Sequence, residues 1–191
     1  MKINKGDAGY ISSRKKKVIL KAIIQFAIVA ALIALGYWQT KTKMNLLTFV
    51  AILGCLPASK TLVEVITIFP HKTIDEKVAK EIAEKTTLLT VAYDMVLTTN
   101  DHIMPIDSVV ISNNTVCGYT SSEKVDTQFA AKHVKQMMYA NRFTDVSVKI
   151  FDNYTQFLTR AEGMNNIAAI DKNDSKSHEA ALKNLILNIS L

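Results

Sequence analysis

VILKAIIQFAIVAALIALGYW, residues 18–38, is the stretch from which the fold is read. Lys21 and Gln25 are its only strongly polar side chains, and its 21 residues, at about 1.5 Å each, cover a hydrocarbon core of about 30 Å. A second apolar stretch, residues 44–69 (MNLLTFVAILGCLPASKTLVEVITIF), carries Pro57 and meets Lys60 and Glu64 before its last apolar run. It is expected to span over 44–62, with Lys60 snorkelling to the headgroups and pairing with Glu64 at i,i+4, the remainder emerging as an interfacial turn of helix. Together the two stretches predict a transmembrane helical hairpin over 18–70, with the bilayer as its partner. Residues 1–17 then form a basic tail, and 71–191 a soluble domain.

Charge sets the expected orientation. Residues 1–43 hold nine Lys and Arg against the single acid Asp7, so they carry +8 of a chain total of +6, and the remainder carries −2. The basic character therefore belongs to a juxtamembrane cluster, which removes the main support for nucleic-acid binding. Arg14, Lys15, Lys16 and Lys17 abut the first span and are expected to meet anionic lipid headgroups, whereas the connecting loop, 39–43, holds two lysines. The positive-inside rule places the N-terminus in the cytoplasm, and two spans return the C-terminus there. The first apolar stretch exceeds the 7–15 residues of a cleaved leader's core and has no small-x-small site after it, so it is expected to remain as an anchor.

Both stretches offer small residues for close helix approach, at Ala27/Ala31, Ala30/Ala34 and Gly54/Ala58, and Tyr37 with Trp38 suits an aromatic belt. Cys55 falls in the second span and Cys117 in an expected strand, without C-x-x-C or histidine spacing, so a reducing compartment fits and neither metal nor redox chemistry is indicated. His71, His102, His133 and His178 are scattered singly.

Beyond residue 71 the composition is that of a single α+β domain. Thr73-Ile-Asp-Glu76 has capping-box form and opens a helix to about Thr86 with Ile74, Val78 and Ile82 on one face. Residues 88–99 are β-rich, Asn100-Asp101 marks a turn, 103–112 form a second strand, Asn113-Asn114 turns it, and 115–121 return as a third. Gly118 marks a bulge or a close backbone approach. Asp126 caps a helix to about Ala140 with Phe129, Val134, Met137 and Met138 inward, and 144–151 (TDVSVKIF) alternate as a fourth strand. Residues 154–164 are expected as helix and 165–174 as loop. A last helix over 175–190 carries Ala181, Leu182, Leu185 and Ile189 on one side.

This αβββαβ order, with helices after it, resembles the core of the restriction-endonuclease-like fold. Residues 107–122 (DSVVISNNTVCGYTSS) are similar to the motif of the nuclease-related (NERD) domain: an acidic residue, an apolar strand, a turn, and a second strand ending in Glu-x-Lys. The resemblance places Asp107 at the family's metal-binding Asp, the weak metal candidate of this chain. Thr120 and Ser122 stand where the family has Glu and Lys, and neutral hydroxyls cannot hold Mg²⁺ or assist attack on a phosphate. The resemblance thus implies a degenerate nuclease domain.

Other enzyme signatures are absent: there is no G-x-x-x-x-G-K-[ST], G-x-G-x-x-G, G-x-S-x-G, H-E-x-x-H or D-x-D. No catalytic residue or cofactor is assigned, and the enzyme question leans to no. Lys, Asn and Ile usage suggests an AT-rich bacterial source. The function expected first is a membrane-anchored, non-enzymatic module presenting a small α/β domain at the cytoplasmic surface to a protein partner or nucleotide-like ligand. Two alternatives stand beside it: a degenerate nuclease-fold protein contacting nucleic acid, and an accessory subunit of a membrane transport or secretion complex.

Overall fold

A computed structural model describes residues 3–41, 46–99, 102–170 and 175–191. The chain divides into two units, one of Ile11–Lys72 and the other of the N-terminal residues through Tyr10 joined to Thr73–Leu191.

The first unit is built from α1 (Tyr10–Thr40) and α2 (Leu46–Ile68), both long and apolar enough to cross a membrane. α1 begins ahead of the apolar stretch because Arg14, Lys15, Lys16 and Lys17 continue its helix. Of the connecting loop expected at 39–43, residues 39 and 40 are the last of α1, and 42–43 lie outside the described residues. The helices run antiparallel: Arg14 meets Glu64 at 3.0 Å near one end, while a Cβ built on Gly54 would stand 3.3 Å from Val29 Cγ2 farther along. The facing positions follow a heptad: Val18, Ala22, Val29 and Gly36 on α1, and Ala51, Ala58, Thr61 and Ile68 on α2, are buried. Gly54 and Ala58 therefore do lie on the seam, whereas Ala27, Ala30, Ala31 and Ala34 are exposed.

Burial is inverted relative to a soluble hairpin. Small side chains are inside, and Phe49 (70% exposed), Leu56 (70%), Ile23 (61%) and Ile66 (63%) point outward. Each such side chain would gain about 1.5–3 kcal/mol from leaving water, so the outer surface is suited to lipid. The expected Lys60–Glu64 pair is replaced by Arg14–Glu64, an ion pair across the hairpin rather than along one helix. Pro57 leaves no amide for the preceding turn, yet α2 continues unbroken to Ile68; the hydroxyls of Ser59 and Thr61 donate to the carbonyls of Cys55 (2.7 Å) and Pro57 (3.1 Å).

The second unit is an α+β domain: α3 (Glu76–Lys85), β1 (Thr90–Thr98), β2 (Ile103–Ser112), β3 (Thr115–Tyr119), α4 (Thr127–Ala140), β4 (Ser147–Phe151), α5 (Tyr154–Ile170) and α6 (Lys176–Ile189). The strands lie side by side in chain order; β1–β2 and β2–β3 pair antiparallel, and α4 carries the chain across to β4, parallel to β3. Apolar side chains cover both faces of the sheet. One core joins Met95, Ile106 and Ile111 to Val134, Met138, Leu182 and Ile186 of α4 and α6; the other joins Val110 and Cys117 to Ile82, Phe157 and Ala161 of α3 and α5.

The outer edge of β1 is closed by both ends of the chain. The Tyr93 amide donates to the Gly6 carbonyl at 2.8 Å, Lys5 Nζ donates to the Ser190 carbonyl at 2.7 Å, and the Leu191 amide donates to the Val96 carbonyl at 2.8 Å. Gly6 reaches this position at φ +93°, where a side chain would be strained and would crowd Leu187 at 3.1 Å. Part of the expected basic tail is thus a component of the folded domain.

Several local expectations change. Asp75, not Thr73, caps α3, accepting from the Lys77 amide at 2.8 Å, because the Thr73 hydroxyl is drawn to Asp94. α5 continues through residues expected as loop, since the Asn165 side chain accepts from the Leu88 amide at 2.9 Å and ties that turn to the domain. Phe129 faces outward and packs edge-on against His102 at 5.0 Å, leaving Ala130, Val134 and Met138 as the inward face of α4. Ala181 is exposed, and Ile186 takes its place in the core. Gly118 is a close approach, its built Cβ falling 3.2 Å from Ile150 Cγ1. The turn expected at 100–101 and the end of the loop expected at 171–174 lie outside the described residues.

Candidate functional site

β1 and β2 exchange faces at one rung. Ala92 shares a core with Met95 and Leu97, and Val109 and Ile111 share it with Met104 and Ile106, so the period-two alternation shifts by one residue in both strands. The register is unbroken across the shift, with Tyr93 opposite Ser108 and Met95 opposite Ile106. Asp94 and Asp107 occupy the rung between. Asp94 takes φ +54°, a left-handed conformation that Asp tolerates better than most residues, and the local turn lets both strands shift phase.

Each carboxylate is engaged by backbone. Asp94, 3% exposed, accepts from the Ile74 amide at 2.9 Å and from the Thr73 hydroxyl, which fastens the approach to α3 onto β1. Asp107 accepts from the Ser121 amide at 2.5 Å. Burial raises the Asp107 carboxyl above its ordinary pKa, hydrogen bonds from Ser121 pull it down, and the nearby Asp94 charge adds to the rise.

The register carries β3 past Asp107 so that Thr120 follows the last paired residue, Tyr119, and stands at the same end of the sheet. Thr120 is 1% exposed; its hydroxyl donates to the Pro105 carbonyl at 2.7 Å and its amide to the Phe151 carbonyl at 2.9 Å. The Ser122 amide folds back to the Thr120 hydroxyl at 3.2 Å. The chain therefore brings Asp107, Thr120, Ser121 and Ser122 together, and uses their polar groups to close the ends of β2 and β3. Among the described residues, no three His, Cys, Asp or Glu side chains form a group that could hold a metal ion.

An aromatic cluster borders this end of the sheet, and the sequence pattern did not single it out. Tyr119 stacks on Phe157 at 5.6 Å and meets Tyr154 edge-on at 5.3 Å, while the Tyr154 hydroxyl donates to Glu81 at 2.8 Å and Tyr93 donates to the Ala79 carbonyl at 3.3 Å. Burial raises all three phenols, and for Tyr154 the Glu81 carboxylate adds to the rise. They are hydrogen-bonding groups, not acids, at neutral pH.

A second buried carboxylate, Glu179, 3% exposed, lies at the start of α6. It accepts from the Asn113 amide at 2.9 Å, the Thr90 hydroxyl at 2.7 Å and the Ser175 hydroxyl at 3.0 Å, and Lys176 Nζ stands 3.5 Å away. Burial alone would raise it, but these donors outweigh burial and hold it below the ordinary glutamate value. The partners come from β1, the β2–β3 turn and α6, so no local motif announces it. Of the cysteines, Cys55 is exposed on the hairpin and Cys117 is buried in β3. Comparison with protein-family models, with curated proteins and with solved structures finds no match to this chain.

Proposed function

We propose that this protein is a membrane-anchored, non-enzymatic module: a two-span hairpin that holds a small α+β domain at the cytoplasmic membrane surface, where the domain binds a protein partner. The observation that carries the reading is the bond between the Gly6 carbonyl and the Tyr93 amide, with Lys5 bonded to Ser190. Residues before the hairpin and residues after it belong to one folded unit, which supports both lying on one side of a membrane crossed by α1 and α2. The excess of positive charge in front of α1 favours the cytoplasm as that side. Lys16 and Lys17 are exposed and suited to anionic headgroups, while Arg14 serves Glu64. The non-enzymatic part is supported by the engagement of Thr120, Ser121 and Asp107 in closing the strand ends.

A second reading is favoured by the sheet itself. The αβββαβ order, with three antiparallel-paired strands and a fourth parallel one, supports a degenerate nuclease-like fold. It predicts DNA binding that weakens steeply with salt.

Protease added outside sealed, right-side-out vesicles tests the orientation. The C-terminal domain should survive until the vesicles are opened, and degradation in intact vesicles would overturn it. Cross-linking in cells followed by purification in mild detergent tests the partner, and a chain recovered only as a free monomer would count against the module.

A further inference from the structure

A groove of about 480 Å³ lies between β4 and α5, lined by Lys149, Phe151, Thr155, Gln156, Arg160 and Gly163 among others. Its lining includes two cations and no carboxylate. Lys149 is the register partner of Cys117 on the neighbouring strand, where burial raises the thiol and the charges of Arg160 and Lys149 both lower it, so the two cations act on one region. The Lys149 ammonium sits 4.8 Å from the centre of the Phe151 ring. Neither cation is in a salt bridge among the described residues, and Glu162, the acid closest to Arg160 along α5, is paired with Lys85 at 3.4 Å. The Thr155 hydroxyl and the Gln156 side-chain amide add neutral donors, the Thr159 hydroxyl donates to the Thr155 carbonyl at 2.9 Å, and a Cβ built on Gly163 meets nothing within 4 Å, which keeps that side of the groove open.

We propose that this groove is a binding site for a phosphate monoester, with Arg160 and Lys149 neutralising the dianion and Thr155 and Gln156 donating to its oxygens. Guanidinium suits the planar pair of phosphate oxygens, ammonium acts as a point charge, and Phe151 offers an apolar wall to the group that carries the phosphate. The ligand is either a soluble phosphate ester or a phosphatidate headgroup, which share this chemistry. The inference does not depend on the orientation of the hairpin or on a protein partner, and both of those can fail while the site stands.

The test is titration of the full chain, in a detergent with an uncharged headgroup, with inorganic phosphate followed by phosphorus NMR and calorimetry. Saturable binding is expected, weakened about tenfold or more when two charge-assisted contacts are removed together in K149Q/R160Q. Gly163→Met, which fills the groove from its open side, should abolish binding while leaving the thermal midpoint of the protein at or above that of the parent. Non-saturable binding, or equal affinity in the parent and both variants, would overturn the site. In nanodiscs, phosphatidate that displaces inorganic phosphate upholds it with a lipid source; undiminished phosphate binding beside phosphatidate upholds it with a soluble one.

Discussion

Loss of Glu179 should destabilise the domain by breaking several hydrogen bonds at once. Its carboxylate is the shared acceptor for the Asn113 amide, the Thr90 hydroxyl and the Ser175 hydroxyl, and it joins α6 to two places on the sheet. Replacing it with Ala removes the acceptor shared by the part-buried Asn113 amide and the Thr90 and Ser175 hydroxyls, at about 1 kcal/mol for each hydrogen bond lost. The total expected for E179A is about 3 kcal/mol. Glu179→Gln keeps one carbonyl oxygen and loses the charge, so about 1.5 kcal/mol is expected. Urea titration of the full chain in detergent micelles, read by pulse proteolysis of the domain, measures both; with a slope of about 2 kcal/mol per molar, E179A should shift the midpoint by about 1.5 M. The pH dependence supplies a second check. The folded-state pKa of Glu179 lies below its unfolded value, so its contribution is present in full above the unfolded value and is lost as pH falls through the folded one. E179Q should flatten that acid limb. Midpoints within about 0.2 M of the parent for both variants would refute the network argument.

Asp107 behaves in the opposite sense: its raised folded-state pKa means that its carboxylate weakens the fold as pH rises from the unfolded value through the folded one, so Asp107→Asn should match or exceed the parent's stability at neutral pH in the same titration. Gly54→Leu should disrupt the helix hairpin, because Val29 already lies 3.3 Å from where its Cβ would be; full chain in micelles should lose helical ellipticity or protease resistance across residues 46–68. In intact membranes a water-soluble maleimide should label neither cysteine, a lipid-soluble one should label Cys55, and Cys117 should react only after urea unfolding, since burial raises its thiol and hides it. Gly163→Ala should stabilise α5 by about 0.5–1 kcal/mol through helix propensity, because the added methyl meets nothing within 4 Å; an unchanged urea midpoint would count against it.

What the sequence made legible was periodicity and punctuation. β2 occupies the expected residues because alternation brackets it before Asn113, which takes φ +49° in the turn. Asp126 caps α4 as its spacing implies, accepting from the amides of Gln128 and Phe129. Illegible features are those whose partners are distant in the chain. Thr73 looks like a cap until Asp94, 21 residues on, competes for its hydroxyl. Asn165 looks like a loop residue until the Leu88 amide, 77 residues back, claims its side chain. Glu179 sits in an ordinary amphipathic helix, and Lys149 with Arg160 look like solvated surface charges until β4 and α5 are side by side. Of the candidate site, Asp107, Thr120 and Ser122 were legible from the motif; Asp94, whose charge acts on Asp107, sits in a β-rich run whose phase shift no simple alternation describes.

The closing of β1 by both chain ends has a consequence for how the protein is made. Strand β1 is synthesised long before Leu191, whose amide donates to the Val96 carbonyl on its outer edge. The same edge needs Gly6, synthesised before α1 and α2. In the two-span arrangement proposed above, completion of the domain would report on insertion: a chain that threaded only one of its two helices would leave Gly6 and Tyr93 on opposite sides, and β1 would keep a bare edge. Under that proposal the fold would act as a proofreading step for its own anchor.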